Sequence, residues 1–314
     1  MDVVLMFPGQ GSQKPGMGRD LSEAFPTARD VFAAADEALG ESLSSLCWEG
    51  PAETLTLTSN AQPALLTHGA AAWAVIREAV DGRVRAAAGH SLGEFTAYHA
   101  TGALPLAAAV RLVRARGVLM QRAGEARPGA MAAILGDLTE PIESICARAS
   151  ADPRGGVVVP ANYNTPGQVV ISGEVAGVEL AMTLCKEVGG RRAMRLSVSG
   201  AFHSPLMRPA AEGLASALAN AHFAAPMQPV YANVTADSVT DADSAERLCL
   251  EQLTAPVRWS ALVLRLVADF PDALFVEVGP GTVLAGLVRK IAPAVTTAPC
   301  GTAADIDHLL EKLA

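Results

Sequence analysis

Residues 84–98 read Val84-Arg85-Ala86-Ala87-Ala88-Gly89-His90-Ser91-Leu92-Gly93-Glu94-Phe95-Thr96-Ala97-Tyr98. An apolar run stops at Gly89, and a run without glycine or proline follows Gly93, which is the pattern of a strand, a sharp turn and a helix. Glycines on both sides of Ser91 suit a turn in which the backbone approaches itself too closely for a side chain. Such a turn lifts the serine oxygen to a helix N-terminus, where unpaired N–H groups favour negative charge. The stretch indicates an α/β sheet, with Ser91 either a nucleophile or a helix cap.

The composition indicates a folded protein with reduced cysteines. The chain has 314 residues, 50% of them hydrophobic, which gives room for a large core and suggests about two domains. Its net charge of −8 argues against non-specific nucleic-acid binding, which needs clustered basic side chains. The cysteines are odd in number and scattered, without a C-x-x-C pair, so we expect reduced thiols in a cytosolic protein: Cys47, Cys146, Cys185, Cys249 and Cys300.

The first residues do not have the pattern of a targeting segment. Asp2 stands where a signal peptide carries cations, and the apolar run that follows is too short. No run of the sequence approaches the ~20 apolar residues that cross a bilayer. We therefore expect a soluble cytoplasmic protein without a membrane partner.

The periodicity of the apolar residues distinguishes a middle segment of the chain from the segments before and after it. Residues 3–7 form an apolar run typical of a buried strand, and residues 21–39, 105–124 and 257–270 have helical periodicity, while residues 230–234 predict a strand. The middle predicts a ferredoxin-like βαββαβ unit, with strands at 130–135, 157–162, 168–173 and 192–198 and helices at 141–150 and 175–188. The predicted boundaries are therefore one domain of residues 1–127 and 199–314, with 128–198 as an inserted subdomain.

The first strand opens into a glycine loop, Gly9-Gln10-Gly11-Ser12-Gln13. A phosphate cradle is the obvious alternative to a structural turn. The sequence lacks a P-loop motif, and Lys14 occupies the place of the third glycine in a dinucleotide fingerprint, so the phosphate cradle is rejected.

His203 lies just before the N-terminus of another predicted helix. Ser204 is a good N-cap and Pro205 a good first helical residue, so the imidazole should lie beside a positive helix end that disfavours its charged form. A neutral imidazole is what a general base requires. On its own the residue fits a partly buried structural histidine better, because only pairing with a nucleophile makes it a base.

Seven motifs occur in one order along nearly the whole chain: Phe7-Pro8-Gly9-Gln10-Gly11-Ser12-Gln13, Gly89-His90-Ser91-Leu92-Gly93-Glu94, Arg116-Gly117, Gly129-Ala130-Met131, Asn162-Tyr163-Asn164-Thr165-Pro166-Gly167-Gln168, Ala201-Phe202-His203-Ser204 and Glu277-Val278-Gly279-Pro280. Together they resemble the malonyl-CoA:acyl carrier protein transacylases of fatty acid synthesis and their polyketide acyltransferase relatives. The resemblance implies an α/β-hydrolase-like domain with a parallel sheet and an inserted ferredoxin-like subdomain.

The resemblance also implies the catalytic roles. Ser91 becomes the nucleophile and His203 its general base in a ping-pong transfer through a malonyl-serine ester. The backbone N–H groups of Gln10 and Leu92 become the oxyanion hole. No acidic third member is implied, since a backbone carbonyl, matching Gln252, orients the histidine.

Substrate selection is likewise implied by the resemblance. Arg116, which could otherwise be a solvated helix residue, becomes the partner of the malonyl carboxylate because its planar fork accepts a carboxylate bidentately. Phe202 and Leu92 fit the pattern of malonyl-specific relatives, whereas Gly200 departs from the His-Ala-Phe-His pattern of modular malonyl domains. Arg116, Phe202 and Gln252 are therefore the expected substrate-binding residues.

The expected partners are malonyl-CoA and an acyl carrier protein. Coenzyme A enters as part of a substrate, and we expect no resident cofactor or metal, since the six histidines show no H-E-x-x-H spacing. Because such carriers are acidic, a basic patch should receive them, with Arg191 and Arg192 or Arg289 and Lys290 as candidates.

Several alternatives remain open from the sequence. The same serine and histidine would serve an acyl hydrolase, although a hydrolase has little need of a buried carboxylate partner at Arg116. A non-catalytic carrier-binding subunit would be expected to lose Ser91 or His203. A polyketide acyltransferase or the acyltransferase component of malonate decarboxylase would keep the same residues.

Overall fold

The structure, a computed structural model, describes residues 1–313. Its strands are β1 (Val3–Phe7), β2 (Val84–Gly89), β3 (Gly129–Leu135), β4 (Val158–Thr165), β5 (Gln168–Glu174), β6 (Arg192–Arg195), β7 (Val230–Tyr231), β8 (Ser238–Val239), β9 (Leu274–Val278) and β10 (Thr297–Cys300). They form two sheets, one of six strands and one of four.

The helices surround both sheets. They are α1 (Arg19–Ala24), α2 (Pro26–Leu39), α3 (Leu43–Glu49), α4 (Ala52–Thr56), α5 (Thr58–Ile76), α6 (Leu92–Ala100), α7 (Leu106–Ala126), α8 (Ile142–Ala151), α9 (Val175–Glu187), α10 (Arg208–Ala219), α11 (Ala242–Glu251), α12 (Trp259–Asp269), α13 (Val283–Ile291) and α14 (Ala303–Leu313). A 3-10 turn, Pro205–Met207, precedes α10.

The large sheet has the order β10-β9-β1-β2-β7-β8 and is parallel except for the edge strand β8. All five residues of β1 are buried. Val3, Leu5 and Phe7 face one apolar cluster, and Val4 and Met6 face another on the opposite side. Helices therefore cover both faces, which is why the strand is a continuous apolar run.

The small sheet has the order β4-β5-β3-β6 and is antiparallel. With α8 and α9 it gives the predicted βαββαβ order. Ala130, Ala132 and Ile134 face those two helices, whereas Met131 and Ala133 belong to the core shared with the large sheet. The predicted fold class, an α/β architecture with a parallel sheet and a ferredoxin-like unit, is confirmed. The boundaries at residues 127/128 and 198/199 remain a prediction.

Several predicted elements are wrong in extent; the strand predicted over residues 192–198, for example, ends at Arg195. The helix predicted over residues 21–39 is broken at Phe25, which is extended (φ −125°, ψ 114°) because the ring of the following Pro26 disfavours a helical residue before it. The strand predicted over residues 230–234 ends at Tyr231. Beyond it, Asn233 leaves the sheet and hydrogen-bonds the turn around Ser91.

Candidate active site

Ser91 lies in a strained turn between β2 and α6. Its backbone has φ 51° and ψ −105°, in the positive-φ region that non-glycine residues rarely adopt. A Cβ on Gly89 would overlap the carbonyl group of Gly93, and a Cβ on Gly93 would overlap the carbonyl oxygen of Phe7. The prediction that the flanking glycines allow a close backbone approach is confirmed.

Asn233, two residues beyond the neighbouring strand β7, hydrogen-bonds this turn. The N–H of Ser91 donates to Asn233 Oδ1 at 2.7 Å, and Asn233 Nδ2 donates to the carbonyl oxygen of Gly89 at 2.7 Å. Sequence reasoning missed Asn233. Its signal was a polar side chain just past the carboxyl end of a strand, the edge where parallel sheets collect their site residues.

His203 is within hydrogen-bond distance of the serine. Ser91 Oγ and His203 Nε2 are 2.8 Å apart, and His203 Nδ1 lies 2.8 Å from the backbone oxygen of Gln252. Because a carbonyl oxygen only accepts, Nδ1 carries the proton, and Nε2 presents its lone pair to the serine hydroxyl. The pair therefore has the geometry of a nucleophile and its base.

The electrostatics keep this imidazole neutral. His203 is 3% exposed, and burial, assisted by the positive charge of Arg116, lowers its pKa to about 3. The predicted direction is confirmed. The predicted cap is also confirmed, since Ser204 Oγ accepts from the N–H of Leu206 at 3.3 Å and Pro205 is the first residue of the turn. The cause needs correction, because burial is the largest contribution to the lowered pKa and the capped segment is a 3-10 turn, with α10 beginning only at Arg208.

Arg116 is a buried cation beside the serine. It is 1% exposed, so a solvated role is excluded. Its Nη1 donates to Gln62 Oε1 at 2.8 Å, and its Nη2 donates to Gln252 Oε1 at 2.8 Å and to Ser91 Oγ at 3.2 Å. Its Nε–H has no hydrogen-bond partner within residues 1–313. Gln62 was missed, and no local signal marks a glutamine inside α5 as an arginine partner.

Gln10 and Leu92 line the same cavity as Ser91. Leu92 is the first residue of α6, and Gln10 follows the end of β1. Neither N–H donates a hydrogen bond to any of residues 1–313. The Gln10 side chain is directed elsewhere, to Thr58 Oγ1 at 3.2 Å. Two free donors beside a serine are what an oxyanion hole requires.

A cavity of about 420 Å³ joins these groups between the two sheets. Its lining includes Ser91, His203, Arg116, Phe202, Gln10, Leu92, Met131 and Val170, the last two from the small sheet. Phe202 is 7% exposed and forms part of the wall. Gln252, in contrast, is not part of the lining, and its side chain lies behind Ser91 and Arg116.

The part of the chain that the structure describes contains neither a metal-binding cluster nor a disulfide. No group of three or more histidine, cysteine, aspartate or glutamate side chains in residues 1–313 could hold a metal ion. All five cysteines are buried and unbridged. Over the same residues, no helix is both long and apolar enough to cross a membrane.

Comparison with known proteins gives consistent matches. The sequence profile of the acyl transferase domain family matches residues 4–302. A malonyl CoA-acyl carrier protein transacylase of Bacillus subtilis strain 168 is 48% identical, over 92% of this chain and 90% of that protein. The acyl-carrier-protein S-malonyltransferase of Bartonella henselae superposes with a TM-score of 0.93 at 40% identity, covering 100% of this chain and 99% of that one. A malonyl-transacylase solved in complex with its type II PKS acyl-carrier protein superposes with a TM-score of 0.93 at 39% identity, covering 99% of this chain and 100% of that one.

Proposed function

The chain belongs to the acyl transferase family and, within it, to the malonyl CoA-acyl carrier protein transacylases, and we propose that Ser91 and His203 carry the transfer. The enzyme is a malonyl-CoA:acyl carrier protein S-malonyltransferase. It moves the malonyl group from malonyl-CoA to the phosphopantetheine thiol of an acyl carrier protein. The contact of Arg116 with Ser91 Oγ, 3.2 Å, is the observation that favours a carboxylate-bearing acyl group.

The first half-reaction forms a malonyl-serine ester. His203 Nε2 takes the proton of Ser91 Oγ as the oxygen attacks the thioester carbon, and the carbonyl oxygen becomes an oxyanion. The N–H groups of Gln10 and Leu92 stabilise that oxyanion, and loss of one such donor typically costs about 3–4 kcal/mol. The C–S bond then breaks, and the coenzyme A thiolate leaves with the proton from His203.

The second half-reaction reverses these steps with a different thiol. The carrier's phosphopantetheine thiol gives its proton to His203 Nε2 and attacks the ester carbon. The C–O bond breaks, Ser91 recovers the proton, and malonyl-carrier is released. The backbone oxygen of Gln252, 2.8 Å from Nδ1, keeps the imidazole in the required tautomer throughout.

Arg116 binds the free carboxylate of the malonyl group. A buried guanidinium offers a strong charge-assisted interaction with a carboxylate and nothing comparable to an acetyl group. Arg116 lines the cavity, and its Nη2 lies 3.2 Å from Ser91 Oγ, so the guanidinium is within reach of the acyl group. A general hydrolase would have no use for a cation at this point, which disfavours that alternative.

The carrier is proposed to dock beside the cavity. Leu287 of α13 lines the cavity, and Arg289 and Lys290 follow in the last turn of that helix. Arg191 is exposed and paired with Asp137 at 3.4 Å. Charge reversal at Arg289 and Lys290 should weaken carrier affinity more than reversal at Arg191 and Arg192. Unchanged affinity in both double variants would remove the basic-patch proposal.

Neither a resident cofactor nor a metal is part of the proposed mechanism. Fatty acid or polyketide synthesis as the pathway, and the cytoplasmic location, stay predictions. Transfer to matched carriers from the two pathways would separate the pathways.

The direct test is the isolated acyl-enzyme. The protein is mixed separately with malonyl-CoA, acetyl-CoA and methylmalonyl-CoA, and intact masses are measured for the wild type, Ser91→Ala and Arg116→Ala. We expect a malonyl adduct that is absent in Ser91→Ala, with acetyl favoured only in Arg116→Ala. Release of coenzyme A without adduct or transfer would identify a hydrolase, and no reaction with any thioester would contradict an enzymatic role.

A further inference from the structure

A buried polar network lies behind Ser91 and Arg116, and no step of the mechanism uses it. At its centre is the Gln252 side chain, which is 0% exposed. Gln252 Nε2 donates to Glu94 Oε2 at 2.6 Å and to the backbone oxygen of Ser91 at 3.1 Å, while its Oε1 accepts from Arg116 Nη2 at 2.8 Å. One side chain thus connects a carboxyl group, the nucleophile's backbone and the arginine.

The orientation of this amide matters for Arg116. A glutamine amide has two N–H donors at one end and an acceptor oxygen at the other. In the observed orientation each end meets its complement, whereas a flipped amide would direct N–H groups at the guanidinium. The Ser91 oxygen also accepts from the Glu94 N–H at 3.1 Å, and the shorter of the two contacts of Gln252 Nε2 is the one with the Glu94 carboxyl, 2.6 Å against 3.1 Å.

Glu94 is anchored through one of its two oxygens, and the other, Oε1, has no hydrogen-bond partner within residues 1–313. It is 0% exposed on α6, and its Oε2 also accepts from the N–H of Asn233 at 3.0 Å. Burial raises its pKa to about 7, against the hydrogen bonds from Asn233 and Gln252 and the charge of Arg116. Tyr98 and Cys249 are the other titratable neighbours. Burying a carboxyl group costs free energy, so the presence of Glu94 at this position lowers the stability of the fold.

We propose that Glu94 is a positioning residue for selection of the substrate's carboxylate. It orients the Gln252 amide, the amide oxygen aims Arg116, and the guanidinium keeps donors free for the acyl group. A carboxylate placed directly on Arg116 would neutralise the positive charge that malonyl needs, whereas a neutral amide between them leaves that charge available. Within residues 1–313 no carboxylate forms an ion pair with Arg116. The inference rests on the proposed malonyl transfer.

The test compares Glu94→Ala with Glu94→Gln. The alanine variant removes the acceptor of Gln252, whereas the glutamine variant keeps an acceptor oxygen of the same size without the charge. Acylation kinetics with malonyl-CoA and acetyl-CoA give kcat and KM for each. In Glu94→Ala the malonyl-to-acetyl ratio of kcat/KM should fall about tenfold or more, mainly through the KM for malonyl-CoA. Glu94→Gln should restore the ratio.

The acetyl reaction separates positioning from folding. A fall of both reactions by the same factor would make Glu94 merely structural and overturn the proposal, as would an unchanged ratio. If Glu94→Gln is as impaired as Glu94→Ala, an acceptor oxygen at position 94 does not orient the Gln252 amide, and the proposal is overturned. If Glu94→Ala does not fold, Gln252→Met removes the same amide while keeping the backbone oxygen that contacts His203, and an unchanged ratio there also overturns the proposal. Absence of a wild-type malonyl adduct would instead reject the proposed function itself.

Discussion

Arg116 Nη2 lies 3.2 Å from Ser91 Oγ, so the cation proposed to recognise the acyl group touches the atom proposed to attack it. One hydrogen bond therefore connects the side chain that recognises the acyl group with the oxygen that attacks it. A carboxylate bound by Arg116 places the acyl carbon within reach of Ser91, and an acyl group without a carboxylate gains nothing from this contact.

Replacing Arg116 should change acyl selectivity. Arg116→Ala removes a buried charged donor, whose loss costs about 2–5 kcal/mol, so the malonyl-to-acetyl ratio of kcat/KM should fall about 30-fold or more. Arg116→Lys keeps the charge but not the planar fork, so its malonyl-to-acetyl ratio should lie between those of the wild type and Arg116→Ala. Steady-state kinetics with both thioesters measure the ratio. Equal losses for malonyl and acetyl would show that Arg116 supports the fold and not the selection.

Replacing His203 should slow acylation and change the response of stability to acid. Loss of the general base should lower the rate of malonyl-serine formation about 10²–10⁴-fold, measured by rapid quench and intact mass. The pKa of His203 is lowered to about 3 in the folded protein from an ordinary value of 6.5, so between these pH values the unfolded chain binds the proton first. Wild-type stability should consequently fall as pH drops through this window.

The control for this effect is the His203→Gln variant. Urea denaturation at pH 7.5 and at pH 5 gives the free energy of unfolding of both proteins. Between these two pH values the free energy of unfolding should decrease less in His203→Gln than in the wild type. Parallel losses in the two proteins would contradict a neutral buried imidazole at position 203.

Replacing Phe202 should admit a methyl branch. Its ring forms part of the cavity wall, and a hydrophobic pocket discriminates one methyl group by about 1–3 kcal/mol. Phe202→Ala should raise the methylmalonyl-to-malonyl ratio of adduct formation about 5–150-fold. An unchanged ratio would mean that another part of the wall excludes the branch.

Replacing Gly93 should destabilise the protein, because a Cβ there would overlap the carbonyl oxygen of Phe7. Gly286→Ala is the matched control, since the nearest atom to its Cβ would be Arg289 Nη2 at 3.9 Å and alanine suits the interior of α13 better by about 0.5–1 kcal/mol. Thermal unfolding should show a lower Tm for Gly93→Ala and an equal or higher one for Gly286→Ala. Similar Tm values for the two variants would contradict the close approach.

The sequence was most informative where local sterics leave few choices. Strand β1 was predicted with its observed bounds because a five-residue apolar run ended by Pro8 allows little else. The serine turn was predicted because only glycine fits at Gly89 and Gly93. The helix break at Phe25 was missed, although the proline after it was visible.

By itself, then, the sequence determined the α/β class, the inserted βαββαβ unit and the turn that carries Ser91, since glycines, prolines and apolar periodicity act over a few residues. Only the tertiary structure decided which polar groups surround that turn. Asn233 lies 142 residues from Ser91, and Gln252 lies 136 residues from Arg116, yet each pair is hydrogen-bonded. Sheet order and helix packing create such contacts between buried amides that carry no local signature. The same burial sets the pKa values of His203 and Glu94, because desolvation depends on every neighbour and not on adjacent residues.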